Sequence, residues 1–371
     1  MKKDWYNINN IDEIDSPSLV VFPERVKENI KILKGLVPDP TRIRPHVKTH
    51  KSINIAKLFM EEDITKFKCA TISEAEMLGM AGAPDVLLAY QPVGPKVERL
   101  ADLIYEYPGT EYSCLIDNLE AAKNISKVFS KFKLHAPVYL DLNVGMNRTG
   151  INPDAKAEQL IMEISKLPGI EVMGLHAYDG HLRDTDIKVR TSKCDEAFEP
   201  VQKLYDKLKQ QQQFNDLTIV AGGSTTFGIH AKRENVECSP GTFVYWDAGY
   251  RSILPELAFH FGAIIISRII SKPTDDTICI DLGHKSVASE NAIDKRIQFF
   301  NAPGLVPIGH SEEHMILRHP KDDKYSVGDV LYGVPYHICP TCALYDAMMV
   351  VEKGRAIDRW AISARGRRIS I

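Results

Sequence analysis

The sequence has 371 residues, 44% of them hydrophobic and 26% charged, with a formal net charge of −3. That length holds two domains, or one large barrel with an appendage, and the hydrophobic content allows a sizeable core. With no long run of one sign, the near-balanced charge gives no electrostatic case for nucleic acid or an anionic membrane as partner. The first residues, Met1 to Asn7, lack the apolar stretch of a secretory signal. The most apolar tract, 257–270, contains His260 and Arg268 and is too short to cross a bilayer. Seven cysteines in a chain of this length point to thiols in a reducing compartment, so a cytoplasmic location is expected.

In chain order, Ser18 to Phe22 reads as a strand, and Pro23 to Lys34 as a helix with proline at a permissible first turn. Ile43 to Lys48 is a short strand despite Pro45, and helical spacing follows from Ile53, which puts Lys48 at a strand's carboxyl end. Phe67 to Ile72 is strand-like, with Ser73 as cap of the next helix. Strand and helix then alternate: Asp85–Tyr90 with Lys96–Tyr105, Thr110–Ile116 with Leu119–Phe132, and Pro137–Leu142 with Ala155–Leu167. Glu171–His176 precedes a long helix from about Asp186 to Gln212, and Leu217–Val220 runs into Gly222-Gly223-Ser224. Roughly eight alternations with short loops and continuously apolar strands describe a parallel sheet buried on both faces. A closed (β/α)₈ barrel fits better than a Rossmann sheet, because the early strands carry no G-x-G-x-x-G.

Beyond about residue 240 the texture changes to short strands separated by Gly, Pro and Asp turns, among them Phe243–Tyr245, Ala263–Ile266, Thr277–Ile280 and Met348–Val350. The expected architecture is therefore α/β: a barrel over 16–240, then a β domain over 241–371 that carries a candidate metal site, with residues 1–15 packed on it.

Several motifs fall at expected strand ends, the catalytic rim of such a barrel. Lys48 stands among Arg44, His46, His50 and Lys51, and crowding by like charge favours a nucleophilic amine toward an aldehyde; a solvated basic turn is the alternative. Gly222, Gly223, Ser224 and Thr225 form a turn whose N–H groups and hydroxyls suit a phosphate, or simply a flexible loop. Arg148, between Gly145 and Gly150, can point inward to a ring nitrogen or carboxylate, or outward to solvent. The tract His176-Ala177-Tyr178-Asp179-Gly180-His181 places His181 as a candidate general base, with Tyr178 orienting a cofactor group or packing. In the β domain, His337 and Cys339 at i and i+2 of a strand face the same way and can share a metal ion; Cys339-x-x-Cys342 as a redox or structural pair, or ordinary packing, stays open. Glu312, Glu313 and His314 read as a solvated turn.

Taken in order, Arg-Pro-His-x-Lys-Thr-His-Lys at Arg44 to Lys51, Gly-Met-Asn-Arg-x-Gly, His-Ala-Tyr-Asp-Gly-His, Gly-Gly-Ser-Thr-Thr, Pro-Gly-Thr-Phe-Val-Tyr and His-x-Cys resemble the D-threonine aldolase / D-serine dehydratase family. These are pyridoxal 5'-phosphate (PLP) enzymes of the alanine-racemase-like fold type, and the resemblance runs from about Ser16 to Tyr345. It implies that Lys48 carries PLP covalently, that Gly222, Gly223, Ser224 and Thr225 hold its phosphate, with Tyr245 as a further contributor, and that Arg148 approaches the pyridine nitrogen and Tyr178 the ring edge. It implies a divalent metal on His337 and Cys339, with His181 as base near the substrate hydroxyl, in a homodimer acting on a small D-amino acid. A soft thiolate ligand makes zinc the first choice over manganese or magnesium. Two reactions fit: aldol cleavage of D-threonine to glycine and acetaldehyde, or dehydration of D-serine or D-3-hydroxyaspartate to a 2-oxo acid and ammonia. Cys339 resembles the dehydratases, where the aldolase pattern has aspartate; the His-Ala-Tyr-Asp-Gly-His tract looks aldolase-like, and the aldolase is the expectation. An amino-acid racemase or a PLP carrier without strong catalysis shares the same barrel.

Overall fold

Sheet pairing sorts the strands into two groups. The computed structural model describes residues 4–319 and 324–371; the expectations that touch residues 1–3 and 320–323 lie outside the described residues. The chain divides into two compact units, one of residues 33–48, 53–241 and 366–371, the other of residues 1–32, 49–52 and 242–365.

Strand β1 (Ser18–Val21) is followed by helix α1 (Pro23–Leu36). The first unit is built on seven parallel strands in sequence order: β2 (Lys66–Cys69), β3 (Asp85–Leu88), β4 (Glu111–Ile116), β5 (Ala136–Leu142), β6 (Ile170–Ala177), β7 (Thr218–Ala221) and β8 (Val236–Cys238). Helices α2 (Ile53–Met60), α3 (Ile72–Ala81), α4 (Lys96–Glu106), α5 (Leu119–Phe132), α6 (Ala155–Ile164), α7 (Ile187–Lys209) and α8 (Phe227–His230) alternate with them. The N-cap of α3 is Thr71, whose hydroxyl accepts from Glu74 N at 3.1 Å, two residues ahead of the expected Ser73. No helix among the described residues is long and apolar enough to cross a membrane.

The gap between β8 and β2 is closed by the stretch from Ile43 to His46, through parallel bridges Ile43 to Cys238 and His46 to Lys68. Pro45 has no N–H to give, so its neighbours carry the ladder: Arg44 N donates to Cys238 O, His46 N to Pro240 O and Val47 N to Lys68 O, all at 2.9 Å. The closure is also ionic. Arg44 is 1% exposed and donates to Asp85 at the start of β3 (2.5 and 2.8 Å) and to Glu237 in β8 (2.7 Å), and Glu237 also pairs with Lys66. Burial works against the Arg44 charge, and Glu237 and Asp85 more than offset it.

The second unit holds a nine-stranded sheet with the path β12-β13-β10-β9-β1-β15-β16, and β14 paired to both β9 and β11. Its elements are helix α9 (Ala248–Ile253), β9 (Ala263–Thr274), β10 (Thr277–Ile280), β11 (Ile297–Phe299), β12 (Val306–His310), β13 (Met315–Arg318), β14 (Val330–Pro335), helix α10 (Ile338–Cys342), β15 (Ala347–Glu352) and β16 (Arg355–Ala361). Trp5, Tyr6, Ile8, Ile11 and Ile14 pack against Val20, Phe22, Ile264, Ile266 and Val351 in its core.

Three expectations are corrected here. Ser18–Val21 does not open the barrel: it pairs antiparallel with β9 and parallel with β15, so residues 16–32 belong with the β domain, while 366–371 join the barrel unit. An apolar run before a helix reads the same whichever sheet receives it, because its partners lie more than 240 residues away. Phe243–Tyr245 is no strand; Thr242–Val244 forms a 3₁₀ turn. His337 and Cys339 do not lie in a strand either, since His337 caps α10, and Pro340 sits in that helix's first turn, where its missing N–H is harmless.

Replacing Arg44 with methionine leaves Asp85 and Glu237 without their shared partner. The expected loss is about 3–5 kcal/mol of stability, read as a fall in the urea midpoint with little change in slope.

Candidate functional site

The carboxyl ends of the barrel strands gather most of the residues singled out from the sequence. Lys48 lies in the turn just beyond His46, half-buried, with its backbone N–H directed at His46 Nδ1 (3.2 Å). Its Nζ lies 5.9 Å from the ring centroid of Tyr178, which follows β6. Arg148, on the loop after β5, has its guanidinium carbon 5.0 Å from the same centroid, and Lys68 of β2 its Nζ at 5.7 Å. Three cations therefore converge on one aromatic ring. A cleft lined by Asp141, Asn143, Arg148, Thr149 and Tyr178 opens beside it.

The nearby carboxylates are engaged elsewhere. Asp141 accepts from His176 Nδ1 at 2.7 Å, with both side chains buried. Burial, the strongest influence, raises the Asp141 carboxyl, but the bond to His176 together with Thr149 and the charge of Lys68 outweighs it and the net displacement is downward. His176 is pushed down by burial and by the charge of Lys68, so a neutral imidazole donates from Nδ1. Its Nε2 is buried with no hydrogen-bond partner within the protein.

The glycine-rich turn follows β7. Gly222 has φ +77°, a left-handed conformation suited to glycine, and a Cβ there would meet His230 at 2.9 Å. A Cβ on Gly223 would strike the Tyr178 ring at 2.8 Å, so that ring packs directly on the turn. Ser224 and Thr225 are buried, and Thr225 Oγ1 has no partner within the protein; neither has Ser239 Oγ, just past β8. Unpartnered polar atoms at the ends of β6, β7 and β8, over a glycine cradle and beside three cations, fit an anionic, ring-bearing ligand.

Asp179, given no role of its own within the His176–His181 tract in the sequence, clamps this turn. It accepts from Thr226 Oγ1 at 2.5 Å and from His230 Nε2 at 2.8 Å, and Thr226 Oγ1 in turn accepts from Gly223 N. Cys194 Sγ lies 3.5 Å from Asp179 and 3.4 Å from His230, close enough for the three donors to hold a cation. Arg233, however, can only donate to His230 Nδ1 (2.9 Å), which fixes the tautomer that donates from Nε2 to Asp179. Hydrogen bonds account for the cluster.

His181 is exposed, its Nε2 3.1 Å from where a Cβ on Gly145 would stand, so it overlies the loop that carries Arg148. Of the basic residues expected to crowd Lys48, Arg44 is neutralised by two carboxylates, and burial pushes His50 down to about 3, leaving it uncharged. The added cation is Lys68. Sequence carried one signal for it: Lys66 and Lys68 alternate with Phe67 and Cys69, a charged strand face that a barrel turns inward.

In the second unit, His337 Nδ1 lies 2.5 Å from Glu290 Oε1. Burial lowers His337, but its hydrogen bonds with Cys339 and Glu290 prevail and bring it up to about 9. Cys339 Sγ is 3.1 Å from Thr49 Oγ1 and 3.4 Å from Thr242 Oγ1. A thiol and an imidazole in contact, the imidazole backed by a carboxylate, form a donor set that fits a soft divalent metal. Cys342 is fully buried, and burial pushes its thiol well up. Tyr245 is 0% exposed and its hydroxyl donates to Met348 Sδ at 3.1 Å in the core, which removes it from the expected phosphate set.

Comparison with known proteins gives the family. Residues 22–248 match the family described as alanine racemase, N-terminal domain, and residues 263–351 match a putative serine dehydratase domain. D-threonine aldolase from Arthrobacter sp. is 27% identical over 358 residues, covering 95% of this chain and 93% of that protein. 3-Hydroxy-D-aspartate aldolase from Paracoccus denitrificans (strain Pd 1222) is 24% identical over 371 residues, with 96% and 93% covered. Among solved structures, D-threonine aldolase from Filomicrobium marinum superposes with a TM-score of 0.85 at 24% identity over 95% of each chain, a shared fold. With the matched barrel covering more than half of its length, the chain belongs to the family of the alanine racemase N-terminal domain, in the group of D-threonine aldolases and D-serine dehydratases that its motifs resemble.

Proposed function

We propose that this protein is a PLP- and divalent-metal-dependent lyase of the D-threonine aldolase type, cleaving D-3-hydroxy amino acids to glycine and an aldehyde. The observation that carries the reading is the convergence of Lys48, Lys68 and Arg148 on Tyr178 beside a glycine cradle with unpartnered polar atoms. Lys48 would hold the cofactor's aldehyde, and the Gly222–Thr225 turn its phosphate, through backbone N–H groups and the Thr225 hydroxyl. Arg148 and Tyr178 would border the ring. His337 and Cys339 would hold the metal, zinc first with manganese or magnesium as alternatives, and Glu290 would fix the imidazole by its Nδ1. Bound there, PLP supplies an electron sink for charge left at Cα and the cation a Lewis acid for the substrate hydroxyl.

The protein's own groups do the positioning and the proton work. His181, exposed and unencumbered by a buried network, takes the proton from the substrate's β-hydroxyl, which commits the Cα–Cβ bond to break. Neutral His176, held by Asp141, offers a lone pair at Nε2 rather than a second positive charge. Asp179 keeps the phosphate turn in shape. We place the enzyme in the cytoplasm as a homodimer; that all seven cysteines are free supports a reducing compartment.

Dehydration is the second reading, and Cys339 together with the match to a serine dehydratase domain favours it. Purified protein given D-threonine is expected to yield glycine and acetaldehyde in equal amounts, and a chelator should abolish the yield until zinc is restored. Pyruvate and ammonia from D-serine, without glycine from D-threonine, would reverse the assignment to the dehydratase.

Glu290→Gln tests the metal reading. It should weaken metal affinity about 10–100-fold, measured by competition with a chromophoric chelator. Asp179→Asn loosens the Thr226 and His230 anchors, and a loss of about 1.5–3 kcal/mol in a charged hydrogen bond predicts PLP affinity lower by at least about tenfold, read by quenching of protein fluorescence.

A further inference from the structure

Helix α10 holds a second thiol, three residues beyond the proposed metal ligand, that the chemistry above leaves without a task. Of the seven cysteines, Cys339 and Cys342 are the two that share one secondary-structure element. Both are reduced, and their surroundings differ. Cys339 is half-buried and its Sγ keeps polar company, with His337 in contact and the Thr49 and Thr242 hydroxyls at 3.1 and 3.4 Å. Cys342 is 0% exposed. Residues three apart on a helix lie on one face, and helical pitch sets their Cα atoms about 5 Å apart. A disulfide takes Cα separations of about 4.4–6.8 Å, so the backbone already meets the requirement. The Cβ atoms, about 5–6 Å apart in that geometry, must draw in to about 4 Å, and the bond closes with local strain.

We propose that Cys339 and Cys342 form an oxidative modification site, which a peroxide converts to a disulfide that withdraws Cys339 from the metal. The inference rests on the metal reading above. The partly exposed sulfur meets the oxidant. Cys339 Sγ attacks the O–O bond and becomes a sulfenic acid, while the departing oxygen takes up the thiol proton and leaves as water. Cys342 Sγ then displaces the remaining oxygen, which leaves as a second water with the Cys342 proton. Two thiols thus give two electrons and two protons to one peroxide. A disulfide sulfur has no thiolate charge to offer a soft cation, and His337 alone is a single ligand. Metal and disulfide therefore exclude each other, and by linkage a bound metal protects the pair. The helix need not unfold for this. Asp247 accepts from Ile338 N at 3.1 Å, and Thr341 Oγ1 donates to His337 O at 2.8 Å and accepts from Ala288 N at 3.2 Å, all without either sulfur. Strain makes the bond easy to reduce, which suits a reversible mark in a reducing compartment.

Full-length protein, either stripped with a chelator or loaded with zinc, would be treated with hydrogen peroxide, denatured, and its thiols counted with a chromogenic reagent. The stripped parent is expected to lose two of its seven thiols. The peptide that holds Cys339 and Cys342 should become lighter by two hydrogens, and dithiothreitol should restore both thiols. Zinc-loaded protein should react about tenfold more slowly, a coupling of ordinary size between two mutually exclusive states. Oxidised protein should fail to take zinc from a chromophoric chelator and should recover that ability on reduction.

Cys342→Val keeps an apolar side chain in the core and removes the second thiol, with Cys342→Ala in reserve should valine not fold. The variant should bind zinc as the parent does. Stripped and oxidised, it should stop at the Cys339 sulfenic acid, captured by a dione reagent, and form no disulfide. Cys279, the other cysteine with partial exposure, lies on β10 and serves as the internal control. Loss of a thiol pair in Cys342→Val at the parent's rate, a disulfide mapped through Cys279, or full zinc binding by the oxidised parent would overturn the proposal. A reduced parent that binds no zinc sinks the metal reading itself, whereas zinc binding without disulfide formation sinks only this inference.

Discussion

The barrel depends on a guanidinium. Between β8 and β2 the chain supplies a segment with only two bridging positions and a proline, too little hydrogen bonding to make an ordinary strand. Arg44 compensates by standing between Asp85 and Glu237, with Nε and both terminal nitrogens donating and Phe67 O at 3.4 Å as a further acceptor. A buried ion pair is favourable only when its hydrogen-bonding groups are satisfied in this way. Here the pairing also has a positional result. Four residues beyond Arg44 the chain presents Lys48, so the same segment that completes the ring of strands aims the amine on which the proposed chemistry turns.

The rim above that closure has the opposite character. Its cations outnumber the nearby acids: Lys48, Lys68 and Arg148 gather on Tyr178, while Asp141 and Asp179 are hydrogen-bonded to His176 and to Thr226 and His230. Fully internal pairing would have been the more stable arrangement for an empty protein. A site that leaves positive charge and unpartnered hydroxyls near one ring would suit the anionic cofactor proposed, whose binding would then stabilise the fold as well. Structure and function divide the acidic residues between them: those at Asp85 and Glu237 serve closure, those at Asp141 and Asp179 serve orientation.

Much of this was legible in the sequence because it is local. Long amphipathic helices such as α4 and α5, the short apolar strands between them and the polar tracts at strand ends follow from periodicity and turn chemistry over a dozen residues. What was not legible depends on distant partners. Ser18–Val21 gives no hint that it pairs with Ala263–Ile266, and Tyr245, beside a promising Pro-Gly-Thr motif, gives none that its hydroxyl meets Met348. Lys68 is the instructive case. A strand alternating lysine with Phe and Cys has one polar face, and sequence cannot say whether that face meets water or the inside of a barrel.

The proposed metal pair shows how a local error can leave a pairing of side chains intact. Side chains at i and i+2 share a face in a strand, whereas within a helix they point to widely separated directions. His337 escapes that geometry because it is not inside the helix: with φ −136° and ψ 98° it caps α10 from extended backbone, and Cys339 lies in the first turn. The two side chains still meet, and Glu290 occupies Nδ1 of the imidazole, which leaves Nε2 for the proposed metal. The cap also ties the site to the rest of its unit, since Asp247 accepts from Ile338 N at 3.1 Å while capping α9 through Tyr250 N at 2.7 Å. One buried carboxylate thus fixes the starts of both short helices, and the side chains of His-x-Cys are brought together through capping geometry, where a strand would have done it by pleat.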